Sequence, residues 1–211
     1  MIKQKLLIFP FNGNGIEALD CIDYDKFELV GFIDDDPLKC SSVYEILPRS
    51  ILKRHIEFRV LAVPGSPSSY LTRSKIINSL DINSERFISA IHPKASLGKQ
   101  VLIGHNCLIM AGVVITSNAR LHSHVCVLPN SVIHHDVVVH PYSLIGSNVV
   151  IAGGTTIGRN CYVGSGSNII NGIQVGDFTL VGLGSNVTND VPAKTRVVGN
   201  PARPVQIRET K

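Results

Sequence analysis

The sequence predicts a two-part chain: a small parallel α/β unit over residues 1–90, then a parallel β-helix of six-residue repeats over 91–211 that ends in a C-terminal tail. Three observations carry this. Aliphatic residues recur at every sixth position from Ile91 to Val187, short apolar runs alternate with helical patterns before residue 91, and a glycine-containing turn follows the first of those runs.

The hexad is the strongest signal. Its first position is Leu, Ile or Val in every repeat, through Ile103, Ile115, Val127, Val139, Ile151, Val163 and Val175 among others, and its fifth position is uncharged and small or β-branched, as at Cys107, Ser131, Ser143, Thr155 and Cys161. Neither a 3.6-residue nor a 2-residue period stays in phase with six. A six-residue period marks a solenoid in which each hexad is a short strand and a turn on one side of a prism, with roughly eighteen residues to a coil. The first position then points inward and the fifth sits near a corner. Glycine at the second position, as in Gly104, Gly146 and Gly164, suits a turn that needs unusual backbone angles.

Before the repeats, Lys5–Phe9 reads as a buried strand, followed by the turn Pro10-Phe11-Asn12-Gly13-Asn14-Gly15 and a helical pattern with Ile16, Leu19 and Ile22 spaced by three. Phe27–Ile33 is a second strand, ending in Asp34-Asp35-Asp36-Pro37. Arg59–Val63 is a third, followed by the loop Pro64-Gly65-Ser66-Pro67. Residues Leu71–Leu80 look helical, and Arg86–Ile91 is a last strand that leads into the solenoid. Strands alternating with helices imply a small parallel sheet of Rossmann-like character. The glycine turn and the acidic cluster after strand two fit either plain turns or a ligand loop where amides meet phosphate and carboxylates meet ribose or base. Some ninety residues are too few for a two-lobed dinucleotide domain, which argues against a redox cofactor.

Composition narrows the class. The chain is 44% hydrophobic and 17% charged with a formal net charge of +4, and no apolar run approaches the length of a membrane span, so a cytoplasmic protein is expected. Its five cysteines form no CxxC pair, and Cys107 and Cys161 fall on the small fifth position, so they read as packing residues. No run of like charges interleaves with aromatics, which argues against nucleic-acid binding. Lys194, Arg196, Arg203, Arg208 and Lys211 gather toward the C-terminus, as a solvated tail or as contacts to a phosphate-bearing ligand.

A prism filled by aliphatic stacks has no interior cavity, so chemistry belongs on its outer faces or between subunits. His122, His124, His134, His135 and His140 cluster in sequence, and His122 lies one coil below His140; with no carboxylate or thiol at matching azimuth, no metal is expected. His135 carries more. With Ile133 inward, His135 lies on the turn, and one coil further on comes Gly153, about 4.8 Å away. A base beside an accessible backbone N–H is what acyl transfer needs, because the base takes the proton of the attacking group and the N–H stabilises the oxyanion.

The solenoid, the α/β unit before it, Ser131-Val-Ile-His-His-Asp136 and the ending Val197-Val-Gly-Asn-Pro-Ala-Arg203 together resemble the NeuD-type sugar acetyltransferases. That resemblance implies a left-handed β-helix, acetyl-CoA as co-substrate and a homotrimer. It implies N-acetylation of a nucleotide-linked amino sugar, of the 4-amino-4,6-dideoxy type, for surface glycan synthesis. Carried over by residue, the catalytic histidine is His135, its orienting acid is Asp136, where the family's nearest branch has Glu, and the oxyanion amide is that of Gly153. Donor contacts fall on Leu144, where the family often has His, and on Gly153, Ser165 and Leu183. The nucleotide-sugar loop, usually Gly-Ala-Gly-Gly-His-Gly, is here Pro10-Phe11-Asn12-Gly13-Asn14-Gly15, with substrate contacts on Asn12, Gly13 and Asn14, Asp34 and Asp35 matching the family's acidic pair, and Gly65 beside them. Alternatives are O-acetylation of a sialic acid and a non-catalytic scaffold.

Overall fold

In the computed structural model, which describes residues 2–205, the hexads wind into a three-sided parallel solenoid. Arg208 and Lys211 of the basic group lie outside the described residues. Each hexad contributes a two-residue strand, and strands pair in parallel eighteen residues on, as in Leu108↔Cys126↔Leu144↔Tyr162, until the shorter last coil, where Leu180 pairs with Arg196. Three faces result. One is an eight-stranded sheet containing those residues, one a six-stranded sheet through Val114, Val132 and Val150, and one a five-stranded sheet through Leu102, Arg120 and Val138.

The interior is the aliphatic column that the spacing predicts: Ile109, Ile115, Val127, Ile133, Val139, Ile145, Ile151, Ile157 and Val163 are all buried in one cluster. Ile91 and Leu97 differ. They belong to the first coil, have no coil beneath them, and stay 36% and 41% exposed. The fifth position tolerates buried serine because its hydroxyl bridges coils: Ser131 Oγ donates to Gly146 O (2.6 Å) and accepts from Val149 N (3.1 Å). Such a satisfied hydroxyl carries no burial penalty. The thiols of Cys107 and Cys161 occupy the same position, and burial pushes them up to about 11 and about 12.

The turn glycines act otherwise than expected. Gly104 and Gly146 are not in the left-handed region; a Cβ on either would stand 2.5 Å from the backbone nitrogen of the next coil, Ser123 or Ser165. They permit close approach. The left-handed residues come later in each turn, and many are Asn or Asp, such as Asn118, Asn130, Asp136 and Asn148, the types that best tolerate it.

Strands β1 (Gln4–Phe9), β2 (Phe27–Ile33), β3 (Ile46–Leu47) and β4 (Arg59–Ala62) form an all-parallel sheet in the order β3-β2-β1-β4. Their side chains alternate between two cores. Leu6, Ile8, Phe32 and Leu61 pack against Leu108, Cys126 and Leu144 of the eight-stranded face, whereas Leu7, Phe9, Ile33 and Val60 meet Leu52, Phe58 and Ile77 on the far side. The short β3 and a helical turn at Ile51–Arg54 carry too little pattern to be read in sequence. The helix expected over Leu71–Leu80 is a 3-10 turn, Tyr70–Thr72, running into Arg73–Asn78. Of the strand expected over Arg86–Ile91 only Ala90–Ile91 forms, with Phe87 bridging Val60. After β1, the helical turn Gly13–Glu17 and a 3-10 turn Ala18–Cys21 bury Gly15, Ala18 and Cys21, leaving Ile16 exposed. Of the three spaced residues only Leu19 lies in the 3-10 turn; Ile16 belongs to the helical turn before it and Ile22 is extended just beyond it.

Over the last coil, Arg203–Pro204 runs antiparallel to Arg196–Val198. The chain carries Pro192, Pro201 and Pro204 there, none of which can donate to a further strand.

Candidate active site

The corner joining the six-stranded to the five-stranded face stacks Ser117-Asn118, His135-Asp136, Gly153-Gly154 and Asn171-Gly172, each coil bonded to the next through Asp136 N→Ser117 O (3.1 Å), Gly154 N→His135 O (2.9 Å) and Gly172 N→Gly153 O (3.0 Å). Below His135 the corner carries side chains. Above it the corner is bare from Gly153 to Gly154.

His135 and Asp136 make a dyad. The imidazole Nδ1 lies 2.8 Å from Asp136 Oδ2, and Asn118 Nδ2 donates to Asp136 Oδ1 at 3.1 Å. The hydrogen bond from His135, then that from Asn118, holds the Asp136 carboxyl below the usual carboxylate range. An ionised Asp136 accepts only, so the proton of the neutral ring sits on Nδ1 and Nε2 keeps its lone pair. That Nε2 hangs over Gly153: a Cβ there would be 2.5 Å from it. Among the described residues the Gly153 N–H donates to no acceptor. A base and an uncommitted amide therefore meet where the hexad phase puts them, in the open, with the His135 and Asp136 side chains 64% and 56% exposed. Asn118 is the member that sequence reasoning missed, although its place one coil below Asp136 could have disclosed it.

Ser165 and Leu183 stack one coil apart on a different corner, at the opposite edge of the six-stranded face. The Ser165 hydroxyl accepts from Ser147 N (3.0 Å), Leu183 is exposed, and Gly166 and Gly184 beside them are left-handed and bare. Leu144 does not join them. Its side chain is 5% exposed, sealed between the solenoid and the β1–β4 sheet, where Gly65 lies so close that a Cβ would stand 2.5 Å from Leu144 Cδ1. It is a packing residue with no surface for a donor.

The expected nucleotide loop is largely committed to itself. Asn12 Oδ1 caps the helical turn by accepting from Gly15 N (2.8 Å), and Asn14 Nδ2 donates to Gly65 O (3.3 Å). The Asp34 carboxylate is buried, accepts from Phe11 N and Asp36 N, both at 3.0 Å, and pairs with Lys39 at 2.8 Å. Asp35 pairs with Arg49. Gly13 alone is open, with nothing within 4 Å of its missing Cβ. Asp34 thus ties the loop down, and Asn14 links it to Gly65.

The β1–β4 sheet and the elements around it sit on the eight-stranded face and on the corner between that face and the five-stranded one. Asn106 pairs with both backbone groups of Ala62 (2.7 and 2.8 Å) and donates to His124 Nδ1 (2.9 Å). Tyr142 Oη donates to Asn78 (2.9 Å), and Asn160 donates to Tyr70 O (3.0 Å). Arg73, fully buried, donates to Pro64 O (2.6 Å) and to His124 O, and burial lowers its pKa to about 10. His122 and His140 stack 5.1 Å apart, and among the described residues no three His, Cys, Asp or Glu side chains converge as metal ligands. No helix among them is long and apolar enough to cross a membrane.

Comparison with known proteins adds the following. Residues 118–153 match the bacterial transferase hexapeptide family model (six repeats). No curated protein sequence matches the chain. Among solved structures, the acetyltransferase domain of PglB from Neisseria gonorrhoeae is 22% identical over 96% of this chain and 100% of its own, with a TM-score of 0.83. PerB from Caulobacter crescentus, solved with CoA and GDP-perosamine, is 22% identical over 98% and 99%, also at 0.83. WeeI from Acinetobacter baumannii is 21% identical over 97% and 100%, at 0.59. Residues 118–153 therefore carry bacterial transferase hexapeptide repeats, and the fold of the chain, solenoid and sheet together, is like that of PerB and of the PglB acetyltransferase domain.

Proposed function

We propose that this protein is an acetyl-CoA-dependent N-acetyltransferase that acts on the amino group of a nucleotide-linked amino sugar. One observation carries the reading: Nε2 of His135, freed for base duty by Asp136, hangs over Gly153, whose N–H has no acceptor among the described residues. The substrate's amine nitrogen attacks the thioester carbonyl while Nε2 takes its proton. The Gly153 N–H donates to the oxyanion, and collapse breaks the C–S bond, the departing sulfur taking the proton from the imidazolium to leave as thiol. The fold relatives support the reactants, PerB being solved with CoA and GDP-perosamine and the PglB domain with acetyl-CoA.

The solenoid in this reading is left-handed, and the β1–β4 unit is a Rossmann-like nucleotide-sugar module presenting Gly13, with Asn12, Asn14, Asp34, Asp35 and Gly65 shaping its loop. Ser165 and Leu183 flank the donor. Geometry supports a homotrimer, because His135 stands at the corner opposite the face that carries the sheet module, so the module of one chain reaches the base of another. The half-exposed Val114, Val132 and Val150 supply an apolar stripe for the seam.

The test is thiol release from acetyl-CoA with UDP-, GDP- and dTDP-linked 4-amino sugars as acceptors. Turnover is expected with at least one, and His135→Ala should lower kcat by at least about 10²-fold with an unchanged circular dichroism spectrum, since the outward ring carries no core packing. A His135→Ala variant that keeps most of its activity would remove this mechanism.

A further inference from the structure

Beneath the dyad lies a groove of about 600 Å³ that the acyl-transfer steps leave unused. Two columns line it. Gln100, Asn118 and Asp136 stack along the corner, and Leu102, Arg120 and Val138 stack along the five-stranded face, adjacent members one coil apart. Asp136, the acid of the dyad, is its upper rim, so the groove ends at the dyad.

Its charge is unbalanced. Both Asp136 oxygens are already taken, one by His135 and one by Asn118. Among the described residues Arg120 forms no ion pair and donates no side-chain hydrogen bond, and it stands exposed between two aliphatic neighbours, Leu102 and Val138. A free guanidinium is a two-pronged donor matched to phosphate or carboxylate. It sits about one strand spacing, ~4.8 Å, below the coil that carries His135, whose Nε2 reaches the other way, toward Gly153. An acceptor whose amine lies at Nε2 would then lay its ring past Asp136 and Val138 and reach the cation with a group several bonds from the nitrogen.

We infer that Arg120 binds the anionic group of the acceptor and so sets which acceptors are used: an amino sugar that carries a phosphate or a carboxylate on the side of the ring away from the reacting nitrogen. The inference rests on the acyltransferase reading above. Arg120 is a positioning residue that meets the substrate's charge and takes no part in the proton transfer.

The experiment compares wild type, Arg120→Gln and Arg120→Lys on three acceptors: a nucleotide-diphosphate-linked 4-amino sugar, the uncharged methyl glycoside of that sugar, and the methyl glycoside of a 4-amino uronic acid, whose charge is a carboxylate. On the charged acceptor that the wild-type enzyme prefers, Arg120→Gln should raise the acceptor KM at least tenfold while kcat falls less than threefold. The KM for acetyl-CoA should not follow, and Arg120→Lys should recover part of the loss. With the methyl glycoside, the variant-to-wild-type KM ratio should collapse toward one. Preference for the diphosphate identifies the anion as phosphate, and preference for the amino uronic acid as carboxylate. An unaltered acceptor KM in Arg120→Gln, or an equal rise with the methyl glycoside, overturns the inference while leaving the acyltransferase reading intact. Absence of thiol release by the wild-type protein with all three acceptors defeats both together.

Discussion

Position 153 is where a single atom decides the chemistry. Gly153 has no positive φ, so its backbone would accept alanine, yet the added methyl would stand 2.5 Å from His135 Nε2. The flexible, exposed imidazole must swing away. Gly153→Ala is therefore expected to fold with a melting temperature close to wild type and to lose about 10²-fold or more in kcat, as steady-state kinetics and a thermal melt on one preparation would show. The pairing of His135 with Gly153 was legible in the sequence because both are fixed by hexad phase alone. Other residue assignments were not. Leu144 is one strand residue from the inward Ile145, and only the packing of the sheet module on its face reveals that it is sealed in. Asp34 is one of three consecutive acids, and nothing in that run announces that this carboxylate, rather than Asp35 or Asp36, is the buried one held by Phe11 and Lys39.

Among elements, the corner ladder that docks the sheet module answers to pH. His124 stacks on Tyr142 (4.5 Å, 6°), meets the edge of Phe87, and accepts from Asn106 at Nδ1, so its ring is neutral in place. Burial first, then Arg73 and His105, lower its pKa from 6.5 to about 4. In the unfolded chain the ring protonates near 6.5, whereas the fold resists protonation until about 4. The contribution is complete above pH 6.5 and is lost as pH falls through that window, reaching at most about 3 kcal/mol. Denaturant unfolding at pH 7, 5.5 and 4 should show stability declining, and His124→Gln, which cannot titrate, should flatten the slope. The solenoid strands were legible because a single period repeats through them. The two-residue β3 and the 3-10 turns of the first ninety residues were not, since each is shorter than the window any periodicity needs and is held by contacts from distant segments.

For the whole molecule, the prism keeps its dyad and its sheet module on opposite sides, which makes assembly a condition of activity in the proposed function. Light scattering should give three times the chain's 22.8 kDa. Val132→Arg, on the half-exposed stripe of the six-stranded face, should yield monomers that remain folded and release no thiol, although His135, Asp136 and Gly153 are untouched. A monomeric Val132→Arg variant at full activity would show that one chain suffices. The order of the two units was legible from composition and period, but their relative placement was not, because it depends on outward residues such as Leu108, Cys126 and Met110 that carry no periodic mark.

The antiparallel return of Arg203–Pro204, with its prolines, gives this rod a blunt tip, while the opposite tip still shows the aliphatic Ile91 and Leu97. Endless fibres require each unit to join front to back. Among the described residues the proline-bearing return withholds the strand edge that the opposite tip offers, so two copies meeting nose to nose at Ile91 and Leu97 would halt their own growth at a pair.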